Sequence, residues 1–216
     1  MNAVAAYIIE RFPPSVFGPA TLLLTAAALW ASTAPLGVDS LLAWLLGLLM
    51  IAQFRVWDDL EDVDRDRTRH PQRVIVNAPP RPFHILVLLL ASGAGLLCLR
   101  HPRALIALAA LDIVFWLAYR HLRAVIPDGA WRNGVLLLKY PAFVAVISLT
   151  RGGVDVPRLL AAMMAAYASA YAYERWHDSA PSSQHRGRTD TLSQHQASAL
   201  SQRRASARRD PRGASS

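Results

Sequence analysis

The stretch Arg55–Arg73, RVWDDLEDVDRDRTRHPQR, places six acids within the nine positions from Asp58 to Asp66. It follows directly on VDSLLAWLLGLLMIAQF (residues 38–54), which carries no charge after Asp39. A run of that length and apolarity is a bilayer-crossing helix, because about 20 residues at 1.5 Å each cover the hydrocarbon core. The acids therefore stand at the end of a membrane helix, where charge has to be solvated, paired or used.

Working outward, five further stretches approach the same length. The spans read as roughly 15–33, 38–57, 82–99, 103–121, 132–150 and 157–175. The chain has 216 residues, is 53% hydrophobic and only 18% charged, with a mean hydropathy of +0.23, which sets it apart from a soluble domain. The expected fold is all-α, a polytopic membrane helix bundle of about six transmembrane helices over residues 1–178. Residues 179–216 are rich in Ser, Ala, Arg and Gln, and their only large apolar residues, Leu192 and Leu200, stand alone. A disordered polar tail is the expectation there. Glu10 and Arg11 follow a brief apolar stretch with no basic segment before it, so no cleavable signal peptide is expected. Cys98 is the single cysteine and excludes a disulfide framework.

The net charge of +8 does not point to nucleic acid, because the basic residues lie between the spans and in the tail. With the N-terminus inside, the inner loops hold Arg11, six arginines from Arg55 to Arg81, then Arg120, Arg123 and Arg132; the outer loops hold only Arg100, Arg103, Arg151 and Arg158. That asymmetry predicts an inner-membrane protein with its acidic segments facing the cytoplasm.

If the second span continues as a helix through the acids, Asp59, Asp62 and Asp66 fall on one face within about 60°, with Asp58 at the edge. Stacked carboxylates repel unless a cation lies between them, and Mg²⁺ takes oxygen ligands and shares its shell with substrate phosphates. The plainer reading is a solvated helix end whose acids pair with Arg65, Arg67 and Arg69. A second acidic pair, Glu174 and Asp178 in YAYERWHD, shares a helix face at the end of span six, on the same expected side of the membrane.

DDLEDVDRD resembles the first acidic motif of the UbiA superfamily of intramembrane prenyltransferases, N/D-D-x-x-D-x-x-x-D, with Asp58 at the first position and Asp59, Asp62 and Asp66 at the three acids. RTRHPQR is similar to the basic His-Pro segment that follows it, YRHLR (Tyr119–Arg123) to a Y-x-x-x-K/R, and ERWHD to the second motif, D-x-x-x-D, with Glu174 in place of the first Asp. The resemblance implies an enzyme that binds an isoprenyl diphosphate through Mg²⁺ held by Asp59, Asp62, Asp66, Glu174 and Asp178. It implies transfer of the prenyl group to a membrane-associated acceptor, commonly an aromatic ring. Asp58, Arg69, Arg73, Tyr119 and Lys139 are the expected substrate contacts. Asp59, Asp62, Asp66, Lys139 and Arg123 are the expected catalytic set. The family usually has nine spans, so the further expectation is a truncated ring with weakened binding and impaired transfer.

Asp112 and Lys139 lie inside spans four and five, where ionisable groups face a partner or a polar cavity. Either they pair with each other, or Lys139 faces the diphosphate while Asp112 supports a helix or the acceptor pocket. Pro141 is expected to kink span five near Lys139, and His70 and His177 are read as plain loop residues. The alternative function is a non-catalytic membrane protein derived from such an enzyme. A transporter would hold its acids nearer the midplane. A CDP-alcohol phosphotransferase would need Gly where Val63 stands, and a soluble isoprenoid synthase would not carry six apolar spans.

On a Cys98→Ser background, cysteines introduced at positions 60–80 and 125–130 should react with impermeant thiol reagents from the cytoplasmic side only. Labelling of the acidic segment from the opposite side would reverse the orientation.

Overall fold

The computed structural model describes residues 2–125 and 134–179; the side chains of 122–125 and 177–179 lie outside that description, as does the expected tail from 180 onward. The helices are α1 (Ala3–Arg11), α2 (Pro14–Trp30), α3 (Val38–Glu61), α4 (Val63–Arg69), α5 (Val74–Asn77), α6 (Arg81–Cys98), α7 (Pro102–Val125), α8 (Lys139–Arg151) and α9 (Val156–Ser179). No strand occurs among the described residues, only an isolated antiparallel bridge between Ser32 and Val154. The protein is an all-α helix bundle.

Prolines and glycines set the boundaries. Pro13 and Pro14 cannot continue α1, and α2 leaves it at 69°. Pro102 opens α7, and Pro157 lies in the first turn of α9. Near Pro141 the helix is interrupted at Leu137–Leu138, and Tyr140 N–H bonds to the Leu137 carbonyl one residue short of the α pattern (3.1 Å). The physical cause is steric: a proline ring clashes with the carbonyl four residues back, which here is Leu137.

Four helical segments are long and apolar enough to cross a membrane: Val38–Glu61, Arg81–Cys98, Pro102–His121 and Gly134–Arg151, with mean hydropathy from 1.4 to 1.6. The bent pair α1–α2 makes a fifth if it counts as one span. The chain is therefore a membrane protein with four or five such spans among the described residues, where the sequence suggested about six. The difference is α9. It is helical over the expected stretch, but its alanines, Ser169, three tyrosines, Glu174 and Arg175 leave it less apolar than the others. The outward faces carry Leu41, Leu88, Leu89, Ile106 and Val114, all more than half exposed, as lipid-facing positions should be.

The described residues form one unit over Met1–Ala172; the segment beginning at Tyr173 clusters separately. Within the first unit α3 is central, packing against α2, α6 and α8, while α8 also meets α2 and α7. Phe54 on α3 is 1% exposed and meets Phe115 of α7 and Phe143 of α8 edge-on, each at 5.2 Å between ring centroids. Gly47 lets α2 and α8 approach: a Cβ there would lie 3.3 Å from both Thr25 Oγ1 and Ile147 Cδ1. A second, smaller core joins Tyr7 of α1, Val56 of α3, Ile75 of α5 and Phe83 of α6. It lies at the acidic end of α3.

At the opposite end Thr33 N–H bonds to the Gly153 carbonyl (2.9 Å) and Asp155 N–H to the Ala31 carbonyl (3.0 Å). Gly153 has φ +56°, and a Cβ on it would run into Thr33 Oγ1. Gly153→Ala should therefore destabilise the protein by roughly 1–3 kcal/mol, the usual range for a strained left-handed residue. Gly95→Ala, with open space around it in α6, should be neutral or stabilising by up to about 1 kcal/mol. Thermal unfolding of both in detergent checks the contrast.

Candidate functional site

The acidic segment does not form one straight stripe. α3 ends at Glu61, Asp62 caps the junction at φ −94° and ψ 3°, and α4 begins at Val63. The backbone ladder nonetheless runs through it, since Asp62 N–H bonds to the Asp58 carbonyl (3.0 Å) and Asp66 N–H to that of Asp62 (2.8 Å). Asp58, Asp62 and Asp66 thus follow at one-turn steps.

Each acid has its own environment. Asp58 accepts hydrogen bonds from the Tyr119 hydroxyl on Oδ1 and from the Lys139 ammonium on Oδ2. Three helices, α3, α7 and α8, converge there. Lys139 is 6% exposed and Tyr119 5%, with Trp57 tilted against the tyrosine ring at 5.4 Å and Phe115 edge-on to it at 5.9 Å. Asp59, one residue and about 100° away, points instead at α1. Its Oδ1 accepts from Arg11 Nη2 (2.7 Å), and its Oδ2 from Arg11 Nε (2.9 Å) and the Tyr7 hydroxyl (2.8 Å). Arg55 Nε lies 3.6 Å from the same Oδ2. Asp66 is buried and pairs with Arg73 Nη1. Asp62 is half-buried, and Asp64 is exposed and paired with Arg67 (2.9 Å).

Of the other expected site residues, Arg69 is exposed at the end of α4. Arg123 is in the last turns of α7 with its side chain outside the described residues. Glu174 is half-buried near the end of α9, and Asp178 falls in its last turn, its side chain likewise outside the described residues. Asp112 and Lys139 do not pair: Asp112 Oδ1 accepts from Gln53 Nε2 (2.8 Å), and Lys139 goes to Asp58. Sequence reasoning missed Tyr7, Arg55 and Gln53 as partners and took Arg11 only as a loop charge. The one available signal was Gln53, a polar side chain inside a run that carries no charge from Ser40 to Phe54.

In kind, these carboxylates suit Mg²⁺, a hard cation that takes oxygen ligands. In place, Asp58, Asp59 and Asp66 are each held by a cation of the chain. Among the described residues no three His, Cys, Asp or Glu side chains converge on a common point. Fold and site together define a polytopic all-α membrane protein with a buried acid–base network at one end of its bundle. No protein-family model, no curated protein and no solved structure matches the chain.

Lys139→Met should be strongly destabilising, by about 3–5 kcal/mol, because it leaves Asp58 without its buried counter-charge. Adding Asp58→Asn should recover a large part of that loss. The non-additivity is read from melting temperatures of the two single variants and the double variant.

Proposed function

We propose that this chain is a membrane prenyltransferase that binds an isoprenyl diphosphate at the acidic end of its bundle and passes the prenyl group to a membrane-associated aromatic acceptor. The observation that carries the reading is the convergence of Lys139 and Tyr119 on Asp58, at the head of a segment whose spacing resembles the UbiA motif. An ammonium beside carboxylates at one-turn steps is the charge pattern that a metal-bridged polyanion requires.

Asp58, Asp62 and Asp66 offer the oxygen chemistry that Mg²⁺ takes, but no three acids converge among the described residues, so a bound ion would draw most of its shell from the diphosphate oxygens. Bound with the diphosphate, Mg²⁺ would supply Lewis acidity at the leaving oxygens. Lys139 then donates to diphosphate oxygens from the bundle side. Arg73 and the exposed Arg69 offer planar guanidinium forks from the α4–α5 side. The rings of Tyr119, Trp57 and Phe115 form an apolar wall next to Asp58; it excludes water and presents π-faces to an allylic cation. The arginine bias of the loops supports an inner membrane with this end in the cytoplasm.

One observation favours a second reading. Asp59 and Asp66 are each 5% exposed and held by guanidinium groups. On that reading the network only fastens helices, and the chain is a non-catalytic membrane protein.

A thermal-shift experiment in detergent separates the two. Farnesyl diphosphate with Mg²⁺, at a hundredfold excess over Kd, should stabilise the wild type by about 2.7 kcal/mol. Asp62→Asn should abolish the shift without lowering the ligand-free melting temperature by more than a few degrees. A wild type that does not respond to saturating ligand supports the non-catalytic reading.

A further inference from the structure

Asp59 belongs by sequence to the acidic segment, yet its carboxylate is engaged elsewhere. Both oxygens accept short hydrogen bonds from α1, three in all, and the residue is 5% exposed. A carboxylate offers about four acceptor positions; both on Oδ2 and one on Oδ1 are taken, and Arg55 Nε adds a positive charge 3.6 Å from Oδ2. We propose that Asp59 is a positioning residue: it clamps α1, and α1 in turn fixes the Arg73–Asp66 pair, while Asp59 itself touches neither metal nor diphosphate.

The linkage can be followed atom by atom. Glu10, the neighbour of Arg11, accepts through Oε2 a hydrogen bond from Val74 N–H (3.1 Å). Val74 directly follows Arg73, whose Nη1 donates to Asp66 Oδ2. Beneath these contacts Tyr7, Val56, Ile75 and Phe83 form the smaller core, and the Tyr7 ring meets Phe83 edge-on at 5.2 Å. α1 needs such a clamp. It has nine residues, too few for a helix to persist unaided, and the prolines turn it away from α2 by 69°. Its outer face carries Ile9, 73% exposed. Tyr7 and Arg11 are the side chains that tie it to α3.

The identification of the Arg73–Asp66 pair as a diphosphate site rests on the function proposed above, whereas the clamp does not. A competing assignment makes Asp59 a metal ligand that Arg11 merely masks, and the two assignments predict opposite signs. Under the clamp, losing either partner loosens Arg73, so Arg11→Met and Asp59→Asn weaken ligand binding alike. Under masking, Arg11→Met frees a ligand and strengthens binding, while Asp59→Asn weakens it.

The test uses the full chain in detergent with Cys98→Ser and Ile75→Cys, reading the thiol labelling rate at position 75 together with the affinity for pyrophosphate plus Mn²⁺. Arg11→Met and Asp59→Asn should each speed labelling about tenfold, as expected for losing a charge-assisted bond. Their double variant should be no faster than either single. Both singles should weaken pyrophosphate binding by a similar factor of about ten, and Arg11→Lys should restore part of the protection. Should Asp59→Asn fail to fold, Arg11→Met with Tyr7→Phe carries the same comparison. Unchanged labelling in Arg11→Met, or tighter pyrophosphate binding by it, overturns the proposal. A wild type that binds no pyrophosphate defeats the function proposed above, and the labelling rates alone then decide the clamp.

Discussion

The arrangement of this bundle depends on an ammonium that has nowhere to go but a carboxylate. Lys139 begins α8 at 6% exposure, in a segment apolar enough to cross a membrane. In lipid an ionisable group must find a partner or a polar cavity, and Lys139 finds Asp58 at the end of α3. Tyr119 brings α7 to the same carboxylate. Three helices are fixed in register by a single side chain. A buried pair of this kind is weak evidence for net stability, since desolvation offsets much of the attraction. Its value lies in geometry, because the low dielectric penalises every arrangement in which either charge is left alone.

The backbone is shaped to make that contact. The interruption at Leu137–Leu138, which Pro141 imposes, places Lys139 at the first residue of α8. Deeper in the bundle α3 repeats the principle with an uncharged donor, where Gln53 donates to Asp112 of α7. Nearby Phe54, Phe115 and Phe143 supply the apolar contact that holds the same three helices together. Polar and aromatic links alternate along α3, so neither has to carry the packing of the bundle by itself.

How far the sequence could be read follows from what periodicity measures. Apolar runs report length and environment, so the four stretches from 15 to 121 became helices whose ends differ by a few residues from those expected, while the fifth, expected over 132–150, is interrupted at Leu137–Leu138 and begins outside the described residues. The identity of α9 as a helix was legible too, but not its lower apolarity. Partners were a different matter. A helical wheel puts Asp59 on a face with Asp62 and Asp66 but cannot say that α1 folds back against that face, because α1 is held by a residue 48 positions away. Nor could spacing choose between Asp112 and Asp58 as the partner of Lys139; in the fold Gln53 donates to Asp112 and Lys139 to Asp58. The break at Asp62 carried no proline or glycine and so left no trace in the sequence.

What emerges is a division of labour within one acidic segment, set by 100° per residue. Asp58 and Asp59 are adjacent in sequence, yet one looks into the bundle and the other out toward α1. Asp62 and Asp66 follow Asp58 at one-turn steps, and the repulsion along this row is offset from both ends, by Lys139 at Asp58 and by Arg73 at Asp66. Asp62 stands between them, at the point where α3 hands over to α4. A polyanion bridged by a divalent cation would meet cations fixed at both ends of this row, one on a membrane helix and one on the interfacial segment. Of the two, only the position of Arg73 depends on α1. For that reason the contact of Asp59 with Arg11, although no part of the row, bears on the geometry of the row itself.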